Sequence, residues 1–258
     1  MEQRSDTKGL ILDIKGLMVF FENALAINDF SMEIQEGMLA GVIGPNSAGK
    51  TTLMNAISGL IMDMKIKEQR KGGERITIYG KILFRGEDIT ELAPHKRVRK
   101  GIVLCRERHP IFPESDVMEN LKIAAHNTPR AEFKTLSDHV FKLFPTLSHL
   151  RKNKAGFLSG GEQQMLAIGM ALIAKPSLLL LDEPLLGLSP MMQAILIEAI
   201  KSLKRDSGIT ILIAEQFARP VLPIIDIGYI IENGMLTIKG SGTELMENPE
   251  IKSAYFGI

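Results

Sequence analysis

Apolar residues recur along the chain in short runs that are separated by polar and glycine-containing segments. The runs nearest the amino terminus predict strands because they alternate or are continuously apolar over the length of a strand. These predicted strands are LILDI (10–14), AINDFSMEI (26–34), MLAGVIG (38–44), KILFRG (81–86) and GIVLC (101–105). Among them, GLIMDMKIKEQRKGGERITIYG (59–80) is interrupted by a charged, glycine-containing stretch, which we interpret as a solvated hairpin loop.

Between residues 113 and 157 the apolar pattern is helical, and from residue 158 the alternation of strands and helices resumes. Asp116 and Glu119 form a capping-box pattern before ENLKIAAH, and the amphipathic run FKTLSDHVFKLF follows, so we predict a helical insert. From residue 158 we predict a helix, the strand SLLLLD, a helix, the strand ITILIA, a helix, and finally the strands IGYII and MLTIK. Strands that alternate with helices indicate an α/β fold with a mainly parallel sheet wrapped on both faces.

Composition excludes several classes of protein. At 258 residues the chain suits one large α/β domain, or one domain carrying a small subdomain. A formal net charge of +1 argues against nonspecific electrostatic binding of nucleic acid. The single cysteine, Cys105, cannot form an internal disulfide and favours a reducing compartment. The polar start MEQRSDTKG does not look like a signal peptide, and no apolar run approaches the roughly 18 residues of a membrane span. Any membrane role is therefore expected to come through a partner.

The segment VIGPNSAGKTT (42–52) matches the phosphate-binding pattern G-x-x-x-x-G-K-[ST], with Gly44, Gly49, Lys50 and Thr51 in register. An apolar strand precedes it and a helical pattern follows, which is the context that this motif requires. Backbone N–H groups at the helix start would face a phosphate, Lys50 would add a positive charge, and the Thr51 hydroxyl could ligate Mg²⁺.

Two adjacent carboxylates follow the buried strand in SLLLLDE (177–183). Open α/β sheets bind ligands at the carboxyl ends of their strands. Asp182 is then placed to hold Mg²⁺, and Glu183 to polarise a water molecule. The alternative is that both acids only cap the following turn.

A second helix start, LSGGEQQ (158–164), also suits a phosphate. Ser159 and Glu162 form a capping box, whereas Gly160 and Gly161 are poor helix formers that each cost roughly 1 kcal/mol relative to alanine. Glycine would let a phosphate approach the backbone. Because the chain has only one lysine in a phosphate-binding loop, Lys50, we expect this second helix start to contact a nucleotide held by another subunit.

GPNSAGKTT, LSGGEQQ and LLLLDEP, in this order, resemble the ATP-binding subunit of an ABC transporter over nearly the whole chain. The resemblance implies a P-loop NTPase core with a mainly parallel sheet, an antiparallel β subdomain and a helical subdomain. It implies a single ATP-binding domain, with the catalytic core at about 1–112 and 158–258. The helical subdomain, at about 113–157, would dock on membrane subunits.

The resemblance also implies ATP and Mg²⁺ as cofactors and assigns the site residues. Glu183 would be the general base, Glu107 would join Thr51 and Asp182 around Mg²⁺, and Phe21 would stack on adenine, with core packing as its alternative. The cradle residues are Gly44, Pro45, Asn46, Ser47, Ala48, Gly49, Lys50, Thr51 and Thr52. The residues expected to act on the other subunit's nucleotide are Ser159, Gly160, Gly161 and Glu162.

Further segments are similar to the F-type ATP-binding subunit of branched-chain amino acid uptake systems: RERHPIFPESDVMENL and the ending NPEIKSAYFGI. Glu107 stands where most ABC proteins have glutamine, and Gln216 replaces the histidine that senses the γ-phosphate; both replacements are typical of this branch. Ser47 stands where many ABC loops have glycine, so the loop must tolerate a Cβ there. Ser189 replaces a common aspartate, and we interpret it as a helix N-cap.

The function implied is ATP hydrolysis that powers import of branched-chain amino acids. The implied partners are membrane-spanning permease subunits, a second ATP-binding subunit and, indirectly, an extracytoplasmic substrate-binding protein, with no nucleic acid. The implied location is the cytoplasmic face of the cell membrane, reached through the permease. Alternatives are a soluble ABC ATPase that acts on ribosomes or DNA, a nucleotide-binding regulator that barely hydrolyses ATP, and an importer of urea or other small amides.

Overall fold

The computed structural model describes residues 9–73, 75–107 and 110–256. Its strands are β1 (Leu10–Phe21), β2 (Ala24–Gln35), β3 (Leu39–Ile43), β4 (Ile76–Phe84), β5 (Glu87–Asp88), β6 (Ile102–Cys105), β7 (Leu178–Asp182), β8 (Thr210–Glu215), β9 (Ile227–Glu232) and β10 (Met235–Gly240). Its helices are α1 (Lys50–Ser58), α2 (Leu60–Arg70), α3 (Pro94–Arg99), α4 (Val117–Ala124), α5 (Arg130–Leu143), α6 (Pro145–His149), α7 (Gly160–Ile173), α8 (Pro190–Ser207), α9 (Gly242–Glu247) and α10 (Pro249–Ile251). Short 3₁₀ helices lie at Ala125–Asn127, Ala155–Phe157 and Leu222–Ile224, and a π-helical turn at Lys252–Phe256.

The larger sheet has the strand order β10-β9-β3-β8-β7-β6, and its described neighbours are parallel except for β9 with β10. Both faces of its central strands are buried. In β3, Leu39 and Ile43 belong to one apolar core, whereas Ala40 and Val42 belong to a second core on the other face. Parallel strands covered by helices on both sides show this double burial. The predicted mainly parallel sheet is confirmed.

The smaller sheet is antiparallel and has the strand order β2-β1-β4-β5. Its buried residues share the second core with α1 and with β3: Leu17 of β1 and Leu53 and Ile57 of α1 lie in the same cluster as Val42. Helix α1 is therefore held between the two sheets. The antiparallel β subdomain implied by the resemblance is present, and it supports the helix that follows the phosphate loop.

The hairpin loop predicted within residues 59–80 is wrong. This segment forms α2, which begins directly after Gly59 (φ +84°), and a short turn at 71–72 follows the helix. Lysine, glutamate, glutamine and arginine are good helix formers, so the run of charges is the solvated face of a helix. Ile61, only 1% exposed, anchors this helix on the second core.

The full helix predicted after ITILIA is also wrong. The segment that follows β8 contains only the short 3₁₀ helix Leu222–Ile224. Pro220 and Pro223 each remove a backbone donor that a longer helix would need. Near the carboxyl terminus α9 was not predicted, although Ser241 and Glu244 form its capping box.

The capping patterns predicted for two other helices are confirmed. The Asp116 side chain accepts the N–H of Glu119, whose carboxylate accepts the N–H of Asp116, and α4 begins there. The Ser189 side chain accepts the N–H of Met192 at the start of α8. Within the described parts of the chain, no helix combines the length and apolarity needed to cross a membrane.

Candidate functional site

The predicted phosphate loop connects the end of β3 to the start of α1. Glycine is required at both of its ends: a Cβ at Gly44 would lie 2.1 Å from the carbonyl oxygen of Ile231, and Gly49 has a φ of +106°. Ser47 also lies in the left-handed region, with a φ of +64°. This serine is exposed, so the loop accommodates its Cβ without a packing clash.

A cavity of about 540 Å³ lies against this loop. The predicted site residues that line it are Asn46, Ser47, Gly49, Lys50, Thr51, Thr52, Glu107 and Glu183. They come from β3–α1, from the segment after β6 and from the end of β7, which meet because these strands end at the same edge of the parallel sheet. Residues far apart in the sequence therefore line the same cavity.

Lys50 is the buried cation of this cavity, with a side chain only 3% exposed. Its Nζ donates to the carbonyl oxygens of Gly44 (2.8 Å) and Pro45 (3.0 Å) and lies 3.1 Å from Oε1 of Glu183. A buried charge is stable only when it is paired and hydrogen-bonded. Glu183 and the two carbonyls thus balance the positive charge at the place where a phosphate would bind.

Asp182 and Thr51 form the candidate magnesium site. The Thr51 hydroxyl donates to Oδ1 of Asp182 at 3.4 Å, and Asp182 is only 2% exposed. Burial raises the pKa of Asp182 to about 6; the Thr51 hydrogen bond opposes this rise, and the charges of Glu183 and Glu107 add to it. A cation beside these carboxylates would relieve their repulsion.

The donor set fits Mg²⁺, which takes few protein oxygens and keeps several waters. Among the described residues, no group of three or more His, Cys, Asp or Glu side chains could enclose a metal ion. A magnesium ion at this place would therefore be held by Thr51 and Asp182, with Glu107 near them, together with water and phosphate oxygens.

The start of α7, which was predicted to contact the phosphates of a second nucleotide, does not line the cavity. Ser159 and Glu162 form the expected capping box at the start of α7, and Ser159 and Gly160 are exposed. Gly161 is buried against α8, where an added Cβ would lie 2.4 Å from Cε of Met192. The exposed end of α7 is thus accessible to a second molecule.

Phe21 and Gln216 also lie apart from the cavity. Phe21 lines a different cavity of about 530 Å³ together with Met64 and Lys67 of α2, and it packs against the second core. Gln216 is half-buried directly after β8 and is absent from the described lining of the phosphate-loop cavity. Their contacts with a nucleotide remain predictions.

Several cavity residues were missed by sequence reasoning: Leu25, Ala26, Leu186, Asn233 and Gly234. Only the last two carry a local signal, because Asn-Gly between two strands is typical of a tight hairpin turn. In the structure Asn233 and Gly234 have φ values of +50° and +79°, and the N–H of Gly234 donates to the carbonyl oxygen of Ala48 at 2.9 Å. The β9–β10 turn therefore forms a wall of the cavity and braces the phosphate loop.

Glu215 was also missed, although it stands beside Gln216. It is 2% exposed at the end of β8, and its Oε1 accepts the N–H of Leu185 at 2.9 Å. Burial raises the pKa of Glu215 to about 7, and the charge of Glu183 adds to this rise, whereas the N–H groups of Leu185 and Gln216 and the charge of Lys50 oppose it.

We expect Glu215→Gln to unfold at a higher temperature than the parent at about pH 8. An unfolded carboxyl loses its proton near a pKa of 4.5, whereas the folded one keeps it until about 7. Folding stability therefore falls as the pH rises through this interval, by at most about 3 kcal/mol. Glutamine cannot ionise and keeps an acceptor oxygen for Leu185.

The measurement is thermal unfolding, followed by circular dichroism at several pH values between about 5 and 8. The advantage of Glu215→Gln should grow with pH. The matched control is Glu198→Gln, because the Glu198 side chain is 68% exposed and its replacement should change little. An advantage that is the same at every pH would contradict the burial argument.

Known proteins resemble this chain over most of its length. Residues 27–186 match the family described as ABC transporter. The chain is 35% identical over 247 residues to the high-affinity branched-chain amino acid transport ATP-binding protein BraG of Pseudomonas aeruginosa, covering 96% of this chain and 100% of the relative. It is 36% identical over 231 residues to the probable branched-chain amino acid transport ATP-binding protein LivF of Archaeoglobus fulgidus, covering 89% and 92%. It is 30% identical over 248 residues to the lipopolysaccharide export system ATP-binding protein LptB of Escherichia coli, covering 95% and 97%.

Solved structures agree with the fold. A nucleotide-free ATP-binding cassette from an ABC transporter superposes with a TM-score of 0.79 at 27% identity, covering 94% of this chain and 97% of that one. The ADP conformation of an ATP-binding cassette of an ABC transporter gives 0.77 at 27% identity, covering 96% and 99%.

Proposed function

This chain belongs to the ABC transporter family of ATP-binding subunits, and on that premise we propose that it powers the import of branched-chain amino acids. Membership of the family makes it a nucleotide-binding ATP hydrolase coupled to transport. The observation that carries the substrate is the pair of relatives named for branched-chain amino acid transport, at 35% and 36% identity. The relative named for lipopolysaccharide export is 30% identical, so its substrate is the weaker candidate.

In the proposed reaction Glu183 acts as the general base that polarises the attacking water. Lys50 would transfer its ion pair from Glu183 to the phosphates, and this exchange would free the Glu183 carboxylate. Support comes from the 3.1 Å contact between Lys50 and Glu183 within the cavity. Thr51 and Asp182, with Glu107 near them, would hold Mg²⁺, which when bound neutralises charge on the phosphate oxygens.

Three further contacts with nucleotide belong to the proposal. Gln216 would donate a hydrogen bond to the γ-phosphate. Phe21 would stack on adenine; its ring lines a cavity together with Met64 and Lys67 of α2. The exposed helix start at Ser159, Gly160, Gly161 and Glu162 would complete the site of a second ATP-binding subunit.

The proposed permease contact is supported by exposed aromatic residues at the two ends of one segment. The segment 113–157 would form the helical subdomain between the two parts of the catalytic core, 1–112 and 158–258. Phe112 and Phe157 are 48% and 85% exposed at its two ends, which supports a docking surface for permease subunits there. The subunit would thereby work at the cytoplasmic face of the membrane, with an extracytoplasmic binding protein delivering the substrate to the permease.

Reconstitution into lipid vesicles tests this function. We expect the chain, assembled with its permease subunits, a second ATP-binding subunit and the substrate-binding protein, to drive ATP-dependent uptake of labelled leucine, isoleucine or valine. The same complex should not transport labelled urea, and a complex that carries Glu183→Gln should transport neither. Uptake of urea without leucine would contradict the proposed substrate and would leave the ATPase assignment standing.

A further inference from the structure

The segment 183–188 connects β7 to α8 and presents two residues, Glu183 and Leu186, to the cavity of the phosphate loop. It forms a turn that neighbouring elements hold in place. The N–H of Glu183 donates to the carbonyl oxygen of Ala214 in β8 at 2.9 Å. Glu183 has a φ of +47°, a conformation that a residue with a side chain keeps only when its surroundings enforce it.

The enforcing contacts come from two sides of this turn. From α8, Nε2 of Gln193 donates to the carbonyl oxygens of Leu185 (3.2 Å) and Leu188 (3.3 Å). From β8, the carboxylate of Glu215 accepts the N–H of Leu185 at 2.9 Å, and this contact is buried. The residue that follows Glu183 by two positions is therefore fixed at both its N–H and its carbonyl group.

Glu215 also contacts the phosphate loop. Its carbonyl oxygen accepts the N–H of Gly44, the first residue of that loop, at 3.2 Å. The main chain of Glu215 thus touches one wall of the cavity while its side chain holds the turn that forms another. The next residue in the chain is Gln216. Glu215 therefore connects the phosphate loop, the turn after β7 and the predicted γ-phosphate contact at Gln216.

Packing does not explain a carboxylate here. The four residues that precede it, from Ile211 to Ala214, are 0% exposed, and an apolar side chain would continue that buried strand without a desolvation penalty. Glu215 instead places an ionisable group among them. Its hydrogen bond to Leu185 is a contact that no apolar residue could make.

We propose that Glu215 is a positioning residue for ATP hydrolysis, because its carboxylate holds the turn that places the Glu183 carboxylate beside Lys50. Glu215 does not touch the nucleotide in this scheme and acts only through Leu185. The inference rests on the proposed role of Glu183 as general base.

The test compares Glu215→Met with Glu215→Gln in the assembled transporter. Methionine is unbranched and apolar, so it should keep the strand folded while it removes the acceptor; we expect kcat for ATP to fall about 10- to 100-fold, as for a misplaced catalytic group. KM for ATP should stay within about threefold, since Lys50 and Thr51 are untouched. Glu215→Gln keeps an acceptor oxygen and should retain kcat within about threefold.

The matched control is Thr210→Val, at the opposite end of the same strand. The Thr210 hydroxyl accepts the N–H of Gly37 at 2.9 Å, so this variant also leaves a backbone donor without its acceptor, away from the site. It should leave kcat unchanged. A loss of kcat in Thr210→Val equal to that in Glu215→Met, or an equal loss in Glu215→Gln, would overturn the positioning role.

A double variant separates failure of this inference from failure of the proposed function. If Glu215 acts through Glu183, adding Glu215→Met to Glu183→Gln should lower the residual rate by less than about threefold, because coupled residues are not additive. A full 10- to 100-fold further loss would show that Glu215 acts by another route. Unchanged hydrolysis in Glu183→Gln alone would instead refute the general base, whatever the Glu215 variants do.

Discussion

Replacing Glu183 with glutamine should slow steady-state ATP hydrolysis by about 10²- to 10⁴-fold, the range typical of a lost general base. The amide keeps the shape of the side chain and removes the group that accepts a proton from water. ATP binding should persist, because the same change releases Lys50 from its 3.1 Å ion pair with Glu183. Lys50 would then be free to contact phosphate.

Two measurements check this expectation. ATP hydrolysis gives the rate, and light scattering or gel filtration in ATP and Mg²⁺ shows whether the nucleotide-bound dimer accumulates. Glu198→Gln, an exposed replacement of the same type on α8, should match the parent in both. Normal steady-state hydrolysis by Glu183→Gln would show that another group activates the water.

Replacing Lys50 with alanine should abolish useful ATP binding. Removing one partner of a buried charge pair costs about 2–5 kcal/mol, which corresponds to a Kd at least about 30-fold higher. The Lys50 side chain is 3% exposed, so solvent does little to compensate for the loss of its positive charge. The variant also leaves the Glu183 carboxylate without its cation, and that negative charge would repel phosphate.

Calorimetry or a fluorescent nucleotide would measure the affinity. Lys154→Ala is the control, because Lys154 is 54% exposed and pairs with Glu114 on the surface. Adding Glu183→Gln to Lys50→Ala should recover part of the lost affinity, since it removes the unpaired carboxylate. If the double variant binds ATP no better than Lys50→Ala alone, electrostatic repulsion by Glu183 is absent.

The sequence correctly predicted the strands that depend on local periodicity. It failed for the charged segment after Gly59, which was predicted to be a loop and forms a helix. The apolar runs became strands because burial on both faces of a parallel sheet requires them to be apolar throughout. The stretch after Gly59 was misread because its lysines and glutamates suit a solvated turn and a solvated helix equally well. Only the packing of Ile61 and the conformation of Gly59 distinguish the two.

The sequence by itself determined the motifs whose geometry is contained within a few consecutive residues. The phosphate loop needs a left-handed glycine at 49 and a helix directly after it, and the capping boxes at Asp116 and Ser159 need only their own helix turn. Such features are local because backbone conformation and short-range hydrogen bonds decide them. The capping box of Ser241 and Glu244 is equally local, and it was overlooked in the sequence.

Tertiary structure alone decided which distant residues share the cavity. Lys50 meets Glu183, the Asn233–Gly234 turn meets Ala48, and Glu215 holds Leu185 only because β3, β7, β8 and β9 are ordered as they are in one sheet. Likewise, α2 and the pairing of β1 place Phe21 in a separate cavity. Strand order and side-chain packing are set by the whole chain, so no local pattern carries this information.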